Sequence, residues 1–217
     1  MVARRTLFGG GVLMVPAIFA LWAGIASARP DVLPVAGTVG SRLSIIGAGF
    51  GAAKGKANLV DATTHATTAL KVVSWSEGEI IADVSKAPKS GFMEYAVSVT
   101  PKGEDYFRLD NTFTFSSLEA VIISTNTGSP GDSVTISGNY FGLKRGKVTL
   151  RCSNPKKPGA FLYKSCKVTS WEMDQSTGAS TVIFLVPKVA SGSYTVIMTS
   201  SMPDESYSTS FTVTAPL

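Results

Sequence analysis

The sequence predicts an all-β protein in which two tandem β-sandwiches follow an N-terminal leader. Three observations carry that prediction. The first is composition: 16% of the 217 residues are charged, 44% are hydrophobic, and 21 glycines and 11 prolines punctuate the chain. Such a chain has too much apolar content for disorder and favours short strands joined by turns. The second is an internal repeat. Shifted by 91 positions, GSRLSIIGAGFGAAKGKANLV (40–60) falls on GDSVTISGNYFGLKRGKVTLR (131–151) without a gap, keeping four glycines, a phenylalanine, an isoleucine, a lysine and a leucine in register. A repeat of that period marks two copies of one structural unit. The third is an alternation of period two: Leu43 and Ile45 against Arg42 and Ser44, then Val134 and Ile136 against Ser133 and Thr135. That is the signature of half-buried strands.

The elements follow in chain order. Residues 1–28 open with Arg4 and Arg5, run through an apolar stretch from Leu7 to Ile25 and end in Ala26-Ser27-Ala28. A basic head, an apolar middle and a small-x-small end read as a secretory signal peptide, outside the fold. The alternative is an uncleaved membrane anchor, which Pro16 and the glycines at 9, 10, 11 and 24 disfavour as a spanning helix. Arg4-Arg5-Thr6-Leu7-Phe8 also resembles a twin-arginine export signal, so the export route stays open. Removing the two leader arginines lowers the formal charge from +5 to +3. A balance that small, on an exported chain, excludes nucleic acid as a partner and leaves a mild attraction to anionic envelope polymers.

The first copy, 29–117, is expected to hold seven strands, near 33–37, 42–46, 56–60, 69–75, 79–84, 94–100 and 111–115. The second, 118–217, is expected to hold seven more, near 120–124, 133–137, 146–151, 164–171, 180–186, 193–199 and 208–214. Each is a run rich in β-branched and aromatic residues, with turn signals every 8–12 residues, the pattern of an immunoglobulin-like sandwich. The junction near Ser116-Ser117-Leu118-Glu119 is short and implies little hinge freedom.

The stretch Gly47-Ala48-Gly49-Phe50-Gly51-Ala52 has the opening of a dinucleotide-binding turn. The repeat argues against that chemistry. A pyrophosphate turn needs its second glycine, and the second copy has Tyr140 where the first has Gly49. What both copies keep is Gly47, Phe50 and Gly51, matched by Gly138, Phe141 and Gly142. The two phenylalanines are therefore expected to plug the end of each core, with the glycines turning the chain. Trp75 and Trp171 occupy equivalent places and read as structural.

Cys152 and Cys166 are the two cysteines. In an oxidising compartment they are expected to form a disulfide around 13 intervening residues, restraining the unfolded chain by about 3 kcal/mol. A zinc site is the rival reading, but the sole histidine, His65, lies in the other copy. His65 sits in a polar run and reads as a loop residue. No constellation for catalysis, no metal site and no cofactor motif is found. The acid pairs Glu104-Asp105 and Asp204-Glu205 read as solvated turns. The best candidate for binding is the segment closed by the cysteines, SNPKKPGAFLYKSC (153–166), where Lys156, Lys157 and Lys164 accompany Phe161 and Tyr163. Aromatic faces beside cations suit sugars or anionic polymers. The competing reading is an exposed loop whose aromatics pack back on the sandwich.

Pro-Gly-Asp-Ser-Val-Thr-Ile-Ser-Gly-Asn-Tyr-Phe-Gly (130–142), then Val186-Pro187, Gly192-Ser193-Tyr194 and Phe211-Thr212-Val213, resemble the marks of the IPT/TIG domain. The first copy matches more loosely, with Val39 where the second has Pro130. The resemblance implies early-set immunoglobulin-like sandwiches used for binding, spacing or dimer formation, and does not fix a function. The resulting expectation is a non-enzymatic, exported protein of a bacterial envelope, placed in the periplasm, at the cell surface or outside the cell. It would engage a protein partner or an envelope polysaccharide, and would meet the membrane only through an uncleaved leader. Two alternatives accompany it: a carbohydrate-binding module using the 153–166 loop, and an accessory subunit of a larger exported assembly.

Overall fold

A computed structural model describes residues 31–200, 202 and 205–215. The expected leader lies outside these residues. The first copy contains β1 (Asp31–Leu33), β2 (Ala36–Gly37), β3 (Arg42–Ile46), β4 (Lys56–Asp61), β5 (Thr67–Ala69), β6 (Lys71–Trp75), β7 (Glu79–Asp83), β8 (Glu94–Thr100) and β9 (Phe107–Phe115). The second contains β10 (Glu119–Ile123), β11 (Thr127–Gly128), β12 (Ser133–Asn139), β13 (Lys147–Ser153), β14 (Phe161–Ser165), β15 (Lys167–Met173), β16 (Ala179–Leu185), β17 (Gly192–Thr199) and β18 (Ser206–Val213). In the first copy a four-stranded sheet, β1-β3-β7-β6, faces a five-stranded one, β2-β9-β8-β4-β5. The second copy repeats both orders as β10-β12-β16-β15 and β11-β18-β17-β13-β14. The protein is a pair of tandem immunoglobulin-like β-sandwiches.

Each copy has nine strands rather than the expected seven. The extra breaks fall where the chain crosses between sheets at the rim of a sandwich, as strands do at its corners. β1 pairs with β3, whereas β2, just beyond Pro34 and Val35, pairs in parallel with β9 of the facing sheet. The expected strand 69–75 divides at Leu70 and the expected strand 164–171 divides at Cys166. The N–H groups of these two residues donate to the carbonyls of Ala57 and Val148, at 2.9 and 2.8 Å.

Alternation fills the space between the sheets. Leu43, Ile45, Ile80, Leu59, Val97, Val99 and Phe113 form the first core, and Val134, Ile136, Val182, Phe184, Leu150, Val196 and Met198 the second. Phe50 and Phe141 are fully buried at equivalent ends of these cores, as the repeat predicts. Each is held by the equivalent tryptophan. Trp75 Nε1 donates to the carbonyls of Phe50 and Gly51, at 3.2 and 2.9 Å, and Trp171 Nε1 donates to Gly142 at 2.8 Å. No helix follows the glycine-rich turn; the chain passes directly into β4. The left-handed backbone of Gly49 (φ 80°) is adopted in the second copy by Tyr140 (φ 63°). The turn's shape is thus kept without its second glycine, as a plug needs and a pyrophosphate site does not.

The second sandwich docks on the first by three fingers from one end. Gln175, in the turn between β15 and β16, accepts from Arg42 N–H at 2.9 Å and donates from Nε2 to Gly40 O at 2.6 Å. Met202, between β17 and β18, is buried in the first sandwich's core cluster and accepts from Thr38 Oγ1 at 3.0 Å. Leu143 lies over Gly40 so closely that a Cβ there would sit 2.7 Å from its Cγ. Glu205 corrects the sequence reading of a solvated turn: it is 6% exposed, its Oε1 accepts from Leu118 N–H in the junction at 3.1 Å, and its Oε2 has no hydrogen-bond partner among the described residues.

Candidate functional site

The 153–166 segment forms a hairpin that carries the edge of the second sandwich's five-stranded sheet. β14 pairs only with β13, Phe161 opposite Ser153 and Tyr163 opposite Arg151. This register decides which side chains work together. Val148 and Leu150 point into the core, so Thr149, Arg151 and Ser153 point outward. Phe161 and Tyr163 share that outer face and are 50% and 62% exposed. The aromatics do not pack back onto the sandwich. Lys164 stands opposite buried Leu150 and belongs to the other side of the hairpin. Lys156 and Lys157 lie in the turn beyond the strand ends. Of the five residues singled out by sequence, the structure brings two onto one face and spreads the three lysines around it.

The expected disulfide is not formed. Both thiols are free, and the register shows why. Cys152 stands opposite Leu162, while Cys166 bonds to the carbonyl of Val148, four residues away along β13. At about 3.3 Å of rise per residue the two are about 13 Å apart, beyond the roughly 7 Å a disulfide can bridge. Burial also pushes the Cys166 thiol up to about 12, so it remains protonated. The loop is instead ordered by its own backbone. Asn154 N–H donates to Ala160 O at 2.9 Å, Ala160 N–H to Lys157 O at 3.1 Å, and Asn154 Oδ1 accepts from Lys156 N–H at 2.9 Å.

Two features of the face were missed in the sequence. One is Arg151, whose guanidinium carbon lies 4.8 Å from the centroid of the Phe161 ring. The cation covers part of one aromatic face and fixes a positive charge beside both rings. The other is the hydroxyl carpet. Ser206, Ser208, Ser210 and Thr212 alternate outward along β18, with Ser193, Thr195 and Thr199 outward on β17. No strand position on this face carries a carboxylate, and a shallow polar depression of about 320 Å³ opens between Arg151, Ser153, Phe161, Thr195 and Ser210. The period-two pattern of SYSTSFTV was available as a signal; only the pairing showed that it shares a face with Arg151.

The rest of the described chain offers little chemistry. Among the described residues no group of three or more His, Cys, Asp or Glu is placed to hold a metal. His65 is a turn residue with φ 58°, its N–H donating to Asp61 O at 3.0 Å. Asp61 caps that turn: Oδ1 accepts from Thr63 and Thr64 N–H at 2.7 and 3.0 Å, and Oδ2 accepts from Ser90 Oγ. The Ser90 hydroxyl first, then these backbone donors, hold its carboxyl far below the usual carboxylate range.

No family model matches the chain, and no curated protein matches it. Solved structures with similar folds include the Bacteroides ovatus surface glycan-binding protein SGBP-B of a mixed-linkage glucan utilization locus, in complex with a mixed-linkage heptasaccharide. It is 14% identical, over 82% of this chain and 42% of that one, with a TM-score of 0.31. The surface glycan-binding protein PbSGBP-B from Prevotella bryantii is 16% identical, over 87% and 39%, with a TM-score of 0.33. The first two domains of DIP-gamma are 14% identical, over 87% and 98%, with a TM-score of 0.29. The chain thus spans less than half the length of the two glycan-binding proteins.

Proposed function

We propose that this is a non-enzymatic, exported binding protein of a bacterial envelope, with IPT/TIG-type sandwiches, whose ligand is an anionic polysaccharide held on the outer face of the second sandwich. One observation carries the reading. Phe161 and Tyr163 stand exposed on a hydroxyl-rich, carboxylate-free sheet face, with Arg151 on the neighbouring strand, opposite Tyr163 and over the Phe161 ring, and Lys156 and Lys157 in the adjoining turn. Aromatic rings stack on the apolar faces of pyranose rings, the serine and threonine rows exchange hydrogen bonds with sugar hydroxyls, and the cations attract acidic substituents. An open sheet face suits a polymer passing over it better than a small molecule, which needs an enclosing pocket.

The test is titration of the exported protein with an acidic oligosaccharide, hexagalacturonate serving as probe beside a fractionated envelope polysaccharide. Phe161→Ala and Tyr163→Ala are each expected to weaken binding about tenfold, one lost stacking contact, while the melting temperature barely moves because both rings are exposed. Arg151→Gln should weaken it and flatten its salt dependence. Undiminished binding of the envelope polysaccharide by the Phe161 and Tyr163 variants would rule out this face.

A further inference from the structure

The repeat makes one surface of the protein readable by comparison with itself. In the first sandwich, Thr38 to Ser41 and Val84 form the end on which the second sandwich docks. Three backbone hydrogen bonds shape it: Gly40 N–H to Val84 O, Ser41 N–H to Thr38 O and Val84 N–H to Ser41 O, at 2.8, 3.0 and 2.9 Å. The second sandwich reproduces all three at its own far end: Gly131 N–H to Val186 O, Asp132 N–H to Ser129 O and Val186 N–H to Asp132 O, at 2.9, 3.0 and 2.9 Å. Gly40 and Gly131 even share a φ of 99°. What differs is the cover. Thr38 and Ser41 are buried beneath the second sandwich, and Leu143 closes over Gly40. Their counterparts are less covered among the described residues: a Cβ on Gly131 would meet nothing within 4 Å, Asp132 is exposed, and Ser129 is half-buried, its Oγ bonded to Thr214 Oγ1 and Ala215 O at 2.9 and 3.1 Å. A cleft of about 650 Å³ opens there, floored by Leu185, Val186, Pro187 and Val189 and flanked by Lys167 and Lys188.

The opposite end of the molecule holds the matching half. Gln175, Leu143 and Met202, the fingers of the second sandwich, lie in turns whose first-sandwich counterparts are the Ser76–Gly78 turn, the segment after Phe50 and the 101–106 turn. These are free. They present Glu77, Glu104 and Asp105, with Tyr106 70% exposed among them. Lys54, Lys56 and Lys102 share this end and keep their charges; Lys54 Nζ donates to Val72 O at 2.9 Å, and the carboxylates are concentrated in the two turns. At the cleft, Asp132 Oδ2 accepts from Ser129 N–H at 2.7 Å and keeps its charge at the rim, while Lys167 and Lys188 belong to the lining itself.

We infer that the far end of the second sandwich is a socket for the free end of the first sandwich of a second copy, so that chains join head to tail. Tyr106 supplies the apolar plug that Met202 supplies within the chain, and the acidic turn residues meet Lys167 and Lys188. The contact is heterologous: each copy uses one surface to give and another to receive, so it propagates into an open filament and does not close as a dimer. The filament would repeat the joint already present between the two sandwiches.

Sedimentation velocity of the exported protein at rising concentration tests this. The average sedimentation coefficient should climb without a dimer plateau, and less so in high salt. Two charge-reversed variants sharpen it: Lys167→Glu with Lys188→Glu at the socket, and Glu104→Lys with Asp105→Lys at the free end. Each alone should stay monomeric, and an equimolar mixture should associate again, because each reversed surface then meets its complement. Tyr106→Ala should weaken association in every combination. The inference fails if the unmodified protein remains monomeric to about 1 mM, the weakest useful affinity for such a contact. It also fails if association stops at a dimer, if a single variant still associates, or if the folded variants do not recover on mixing.

Discussion

At the scale of single residues, Glu205 makes the sharpest prediction. Desolvation raises its carboxyl above the ordinary value, and the hydrogen bond from Leu118 N–H, which acts the other way, is the smaller influence. The folded protein therefore holds the proton to a higher pH than the unfolded chain does. Between those two pKa values the folded state binds more protons, so stability is complete below the unfolded value and falls as pH rises through the window. Glu205→Gln removes this dependence. The variant should gain melting temperature relative to the parent as pH rises from about 4 to 7, and the gain should vanish at the acid end. A difference that stays constant across that range would mean the carboxyl titrates as it does in water. Nothing in the sequence announced this site. Asp204-Glu205 has the composition of a solvated turn, and its burial comes from a neighbour 87 positions away, at Leu118. Phe50 and Phe141 are the opposite case, legible because a repeat preserves a packing requirement at both positions.

At the scale of elements, most strands were readable because one face of each is buried, and burial imposes period two on the sequence. The breaks at Pro34–Val35, Leu70 and Cys166 were not, because a strand that changes sheets keeps its β-forming composition while exchanging partners. The same blindness produced the expected disulfide. Spacing in sequence suggested a closed loop, whereas pairing of β13 with β14 sets Cys152 against Leu162. Two consequences follow for this hairpin. Alkylation of the unfolded but unreduced protein should modify both cysteines, and a reductant should leave the melting temperature unchanged. A mass consistent with one intact disulfide, or a clear drop on reduction, would contradict the register. The candidate face was half legible for a related reason: Phe161 and Tyr163 lie two apart on one strand, but Arg151 joins them only through cross-strand pairing.

At the scale of the whole molecule, the short junction is what the sequence shows of the joint, yet the joint itself is made by residues distant in sequence. Gln175, Leu143 and Met202 reach back to a surface built from Thr38, Gly40 and Arg42. Met202 is the most consequential of the three, because its side chain completes a core that belongs to the other sandwich. Removing a buried methionine side chain from a packed core costs about 2–5 kcal/mol, and here the loss should appear in the sandwich that does not contain the substitution. Met202→Ala is therefore expected to speed amide exchange in β2 and β9 of the first sandwich while the β13–β14 hairpin of the second keeps its protection. It should also broaden the distribution of inter-sandwich distances in small-angle scattering, since the apolar contact no longer opposes bending at Ser116–Glu119. Gln175→Ala removes the side-chain hydrogen bond to Gly40 O, keeps the backbone bond from Arg42 N–H and touches neither core, so it should broaden the distances slightly and leave exchange in both sandwiches unchanged. If Met202→Ala instead loosened only the second sandwich, the methionine would be serving its own domain, and the joint would rest on Gln175 and Leu143 alone.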